Sequence, residues 1–180
     1  MGCTGAGAWQ SRHMTLYEFL ILMHVVGTVL GVGAATFAEI HYTRFNSDDI
    51  ITDDEKKTLA ITYTVMRTGL FLLAISGFGF LLYFRLTEHV GILTSQSFWA
   101  KMTIVGVLIG NALLLQARMM PFAIGAAVSL TSWYAALFLG VIGKTNASYV
   151  EILVYYCVAI VLVGFSLRFL RARLHSPRNI

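Results

Sequence analysis

LYEFLILMHVVGTVLGVGAATFAEIHYTRF, residues 16 to 45, is apolar over most of its length. A helix rising 1.5 Å per residue needs about 20 apolar residues to cross a hydrocarbon core roughly 30 Å thick. This stretch exceeds that need, so it reads as a membrane span, and that reading decides the fold. It also holds His24, Glu39 and His41, polar groups that hydrocarbon should exclude, and Gly27, Gly31 and Gly33, which let a second helix come close.

Four more stretches meet the same length requirement. With the first, the five spans are residues 16–42, 59–84, 99–117, 122–142 and 150–170. In lipid the backbone must satisfy its own hydrogen bonds, so these are helices. The fold class is all-α, a polytopic membrane protein built as a bundle of five transmembrane helices. Composition agrees. Hydrophobic residues make up 57% of the chain, charged residues 12%, and mean hydropathy is +0.73. A soluble domain carries about 25% charged residues to cover its surface.

Three segments follow along the chain: a leader over 1–14, the transmembrane domain over 15–172, and a basic tail over 173–180. MGCTGAGAWQSRHM is small, polar and aperiodic, and lacks the apolar core of a signal peptide. It reads as vector-derived or disordered, and Cys3 and His13 go with it. The other cysteine, Cys157, lies in an apolar span, so the two form neither a disulfide framework nor a cysteine metal site. The net charge of +4 does not point to nucleic acid, because the basic residues sit beside the spans. The lipid bilayer is the expected partner, with a homo-oligomer or a membrane partner subunit as further possibilities.

Five spans put the termini on opposite sides. Arg44, Lys56, Lys57, Arg118, Arg168, Arg171, Arg173 and Arg178 fall on one side; Arg12, Arg85, Lys101 and Lys144 fall on the other. The positive-inside rule places the first group in the cytoplasm, the C-terminus with it and the N-terminus outside. Compact loops point to a bacterial inner membrane. In the first loop, Thr52-Asp53-Asp54-Glu55 has the capping-box pattern of a helix start rather than the spacing of a calcium loop. Asn146-Ala147-Ser148 is a sequon that carries no meaning in a bacterium. Met119 and Met120 mark a turn before Pro121.

Gly27-x-x-x-Gly31 in the first span and Gly106-x-x-x-Gly110 in the third are small-residue faces. They predict contact between those two spans, or between one of them and a symmetry mate.

Ionisable groups at membrane depth are candidates for function. Counting along each helix, Glu39 lies roughly 13 Å from the midplane toward the cytoplasm and Arg67 about 6 Å on the same side. Asn111 and Gln116 fall in the same half. An ion pair between Glu39 and Arg67, hydrogen-bonded by Asn111 or Gln116, is the expected arrangement. It reads either as a buried latch or as a polar pocket for a head group, proton or solute. His24 lies about 9 Å toward the opposite face, and His41 is some 25 Å from it along the helix. A bis-histidine haem needs two ligands at one depth, so His24 has the loop residue His89 as its candidate partner.

Three pieces together resemble small bacterial membrane proteins of the copper-resistance D and HemJ-like families. They are His24 through Phe45, the acidic loop leading to a helix with Ser76-Gly77, and Phe98-Trp99-Ala100-Lys101-Met102-Thr103-Ile104-Val105 running to Asn111. The resemblance implies a four- or five-helix bundle with His24 as a haem b or metal ligand. Where such families often have a further histidine late in the third helix, this chain has Gln116. The functional expectation is a haem- or metal-associated membrane subunit or redox partner without catalytic residues of its own. The alternatives are a small permease or channel using Glu39, Arg67 and Asn111, and a structural or assembly protein.

Overall fold

The computed structural model describes residues 15–45, 52–87, 90–143 and 145–174. The leader at 1–14, Asp48 and Asp49 of the acidic loop, His89 and the last six tail residues lie outside them. The described residues form six helices and no strand: α1 (Leu16–Phe45), α2 (Asp53–Leu86), the short α3 (Val90–Leu93), α4 (Gln96–Gln116), α5 (Phe122–Ile142) and α6 (Tyr149–Leu174). All but α3 are long and apolar enough to cross a membrane, as the hydropathy pattern requires. The protein is a multi-pass, five-helix membrane bundle.

The helix starts are written locally. At α2 the Thr52 backbone donates to Glu55 Oε2 at 2.7 Å, and the Glu55 backbone donates to Thr52 Oγ1 at 3.4 Å. The same reciprocal pattern opens α1 through Thr15 and Glu18, and α6 through Ser148 and Glu151. Each box satisfies amide donors that a helix leaves free at its first turn. The second half of the Asn146-Ala147-Ser148 sequon is thus a helix cap.

The tightest seam joins α1 to α2, antiparallel. A Cβ added at Gly69 would sit 2.7 Å from the Gly31 nitrogen and 2.8 Å from the Gly27 carbonyl oxygen. The two backbones therefore touch directly, and no side chain other than hydrogen fits between them. Gly31 also receives the indole of Trp133 from α5, a side chain 1% exposed. Trp133 anchors a core with Ala35, Leu73 and Leu108, one residue from each of four helices.

The glycine faces of the first and third spans, expected to meet each other or a symmetry mate, do not meet each other. The Gly27/Gly31 face belongs to Gly69 and Trp133, whereas a Cβ at Gly106 or Gly110 would meet nothing within 4 Å. A small-residue face announces that some backbone can approach; it does not name the partner.

Candidate functional site

Glu39 sits near the C-terminal end of α1 and is 7% exposed. Burying a carboxylate requires a compensating charge. That charge is Arg171 of α6, whose Nη2 donates to Glu39 Oε1 at 2.5 Å. Thr43 Oγ1, one turn along α1, donates to the same oxygen at 3.1 Å. The guanidinium also lies over the Tyr42 ring, 4.9 Å from its centroid. The side chains of Arg171 and Glu39 are 15% and 8% exposed. Glu39 Oε2 and Arg171 Nε are both buried without a hydrogen-bond partner among the described residues. The pair is therefore half-satisfied and retains one acceptor and one donor.

A cleft of about 500 Å³ opens beside the pair, walled by Thr36, Glu39 and Thr43 of α1, Leu130 and Tyr134 of α5, and Leu167 of α6. Arg44 is on its rim. The Tyr134 hydroxyl and Thr36 Oγ1 are 3.1 Å apart, with Thr36 donating to the Val32 carbonyl. Leu130 and Tyr134 are shared with a second cleft of about 610 Å³ between α4, α5 and α6, where Phe138, Tyr155 and Val163 are typical of the lining. On its inner side Glu39 borders a void of about 30 Å³ with Tyr63, Met66 and Ser129, large enough for one water.

The expected pairing of Glu39 with Arg67 does not form. Arg67 is exposed on α2 and makes no ion pair or hydrogen bond among the described residues. Asn111 is buried, but its Nδ2 donates to the Gly125 carbonyl at 3.0 Å and so ties α4 to α5. Gln116 is exposed. The four-residue cluster thus separates into a buried acid, a buried amide with another partner, and two outward-facing groups. The residue that sequence reasoning missed is Arg171. It was assigned to the flank of a span ending at residue 170, whereas α6 continues to Leu174. An arginine one turn from the end of an apolar helix is a signal for snorkelling or pairing, and Glu39 at the same end of the bundle supplies the pair.

His24 is half-buried at the other end, its Nδ1 2.9 Å from Ser76 Oγ and its ring against Phe80. With the Ser76 hydroxyl donating to the Leu72 carbonyl at 2.7 Å, the Nδ1–H tautomer of His24 donates to Ser76 Oγ and leaves the lone pair on Nε2. Such a ring can ligate through Nε2. Among the described residues, however, no three His, Cys, Asp or Glu side chains gather to hold a metal, and the other histidine on a span, His41, is seventeen residues away on the same helix. At this depth the described residues offer one histidine, His24, and its expected partner His89 lies outside them.

Comparison with protein-family models, with curated proteins and with solved structures finds no match to this chain.

Proposed function

We propose that the protein binds an anionic amphiphile, with its head at Glu39–Arg171 and its apolar chain along the clefts beside α6. The observation that carries this reading is the placement of Glu39, the acid of a half-satisfied buried ion pair, in the wall of a largely apolar cleft. The guanidinium of Arg171 keeps a donor that no described residue uses, and an arginine donor suits a phosphate or carboxylate head. The second cleft shares Leu130 and Tyr134 with the first and offers further apolar lining for an acyl chain. A solute pathway would need polar lining across the bilayer, and the residues of the second cleft are aliphatic and aromatic for the most part. If the basic flanks face the cytoplasm, the ligand enters from the inner leaflet. The site is then the polar pocket of the permease alternative, rebuilt around Arg171 instead of Arg67. The haem reading rests on His24 with His89, and His89 lies outside the described residues.

Native mass spectrometry on delipidated protein tests this. Wild type should retain one equivalent of oleate or phosphatidylglycerol at least tenfold more tightly than phosphatidylcholine. Leu167→Trp, which fills the cleft without touching the ion pair, should abolish that preference. Equal retention of the zwitterionic lipid, or full anionic binding by Leu167→Trp, would overturn the reading.

A further inference from the structure

Arg67 has no counterpart among the described residues, and its depth makes that significant. The register of the α1–α2 seam sets the depth: Leu20 meets Gly79, His24 meets Ser76, and Gly27 and Gly31 meet Gly69. Continuing that antiparallel register puts Arg67 level with residues 31–34 of α1. The midpoint of α1 lies between Leu30 and Gly31. A second helix agrees, since Trp133 packs on Gly31 and lies at the middle of α5. Arg67 is therefore within roughly 6 Å of the bilayer midplane, with about 10 Å of hydrocarbon between its Cα and the head groups.

Its direction is equally constrained. Two residues of helix turn about 200°, so Arg67 points nearly opposite to Gly69, away from α1. Thr64, Thr68 and Phe71 share the outward face and are exposed. The threonine hydroxyls donate to the Ala60 and Thr64 carbonyls of their own helix, so they offer the guanidinium no strong acceptor. A permanently charged group with five donors is left facing apolar solvent at its least polar depth.

We propose that this face of α2 docks a transmembrane helix of another protein, one carrying an Asp or Glu near its centre, and that Arg67 pairs with that carboxylate. Charge complementarity selects the occupant. Among the described residues a second copy of this chain does not supply it: Glu39, the span acid nearest that depth, is buried and paired with Arg171, and Glu18, Glu151 and Asp53 to Glu55 lie in the first turns of their helices. In a two-fold dimer through this face the arginines would meet each other. The planar fork of arginine grips a carboxylate through two parallel hydrogen bonds, which gives direction as well as attraction. Thr64 and Thr68 are small enough to let the partner helix lie close.

The test uses full-length protein in phosphatidylcholine vesicles with a synthetic 23-residue Leu/Ala transmembrane peptide bearing one central Glu. Fluorescence energy transfer between labelled protein and labelled peptide reads association. The Glu peptide should bind at least tenfold more tightly than its Gln analogue, and Arg67→Leu should remove the difference while melting like wild type. Arg67→Glu should transfer the preference to a peptide with a central Arg. Equal binding of Glu and Gln peptides would overturn the proposal and leave Arg67 to lipid phosphates. Transfer between two labelled copies of the protein that depends on Arg67 would overturn it in favour of self-association.

Discussion

The α1–α2 seam and the flank occupied by α6 are both made from apolar helices, yet they are held together in different ways. At the seam, glycines remove the side chains and the backbones meet at Gly27, Gly31 and Gly69. Along α6, a third as much of the apolar window is buried as in α1, 11% against 33%, and clefts open at its sides. What fastens α6 is polar: Tyr149 Oη to Thr103 Oγ1 at 3.0 Å, the Tyr149 backbone to Gln96 Oε1 at 2.7 Å, Tyr156 Oη to Ser132 Oγ at 2.7 Å, and Arg171 to Glu39. In lipid, one apolar surface gains little by exchanging acyl chains for another apolar surface. Helices then associate by very close packing or by polar pins. This molecule uses the first to join α1 to α2 and the second to attach α6, a helix flanked by clefts.

Substitutions can break that contrast in order of severity. Gly69→Leu should do the most damage, since the added side chain meets two backbones that cannot give way. The expected loss exceeds the ordinary overpacking cost of about 1–3 kcal/mol, and gel filtration in mild detergent should show no monodisperse folded species. A normal elution profile would mean that the seam is looser than described.

Arg171→Met should come next. It leaves Glu39 buried without its cation, a loss of about 3 kcal/mol in SDS-titrated unfolding. The double substitution Glu39→Met with Arg171→Met should recover most of it. A single variant as stable as wild type would show that α6 does not depend on this pin.

Tyr156→Phe deletes one interhelical hydroxyl pair and should cost about 0.6 kcal/mol, the average for such bonds within membranes. A loss several times larger would move the weight of α6 attachment from the ion pair to the middle of the helix. Gly106→Ala should stay within about 0.5 kcal/mol of wild type in the same assay, because a Cβ there meets nothing within 4 Å. Marked destabilisation at Gly106 would restore a packing role to the third span's glycines.

The bundle was legible from the chain because membrane spans are declared by length and apolarity, both local properties. The helix start at Thr52 was equally legible, since a capping box needs four consecutive residues; the boxes at Thr15 and Ser148 carry the same signal. Glu39 was recognised as a buried candidate because any carboxylate so far into a span needs compensation. Its partner was not. Depth along a helix follows from counting residues, so Arg67 and Asn111 could be assigned a level near Glu39. Rotation about the helix axis has no such marker in uniformly apolar spans, because hydrophobic periodicity fades when lipid and protein interior are equally apolar.

The sequence by itself therefore determined which segments span the membrane, how deep each polar group lies, and that glycine faces would bring backbones together. Only the tertiary structure decided who meets whom. It gave Gly27 and Gly31 to Gly69 and Trp133, gave Glu39 to Arg171, and turned Arg67 outward. The reason is physical. Depth is set by the bilayer through each residue's own hydration, whereas azimuth and partnership are set by packing between helices that lie far apart in the chain.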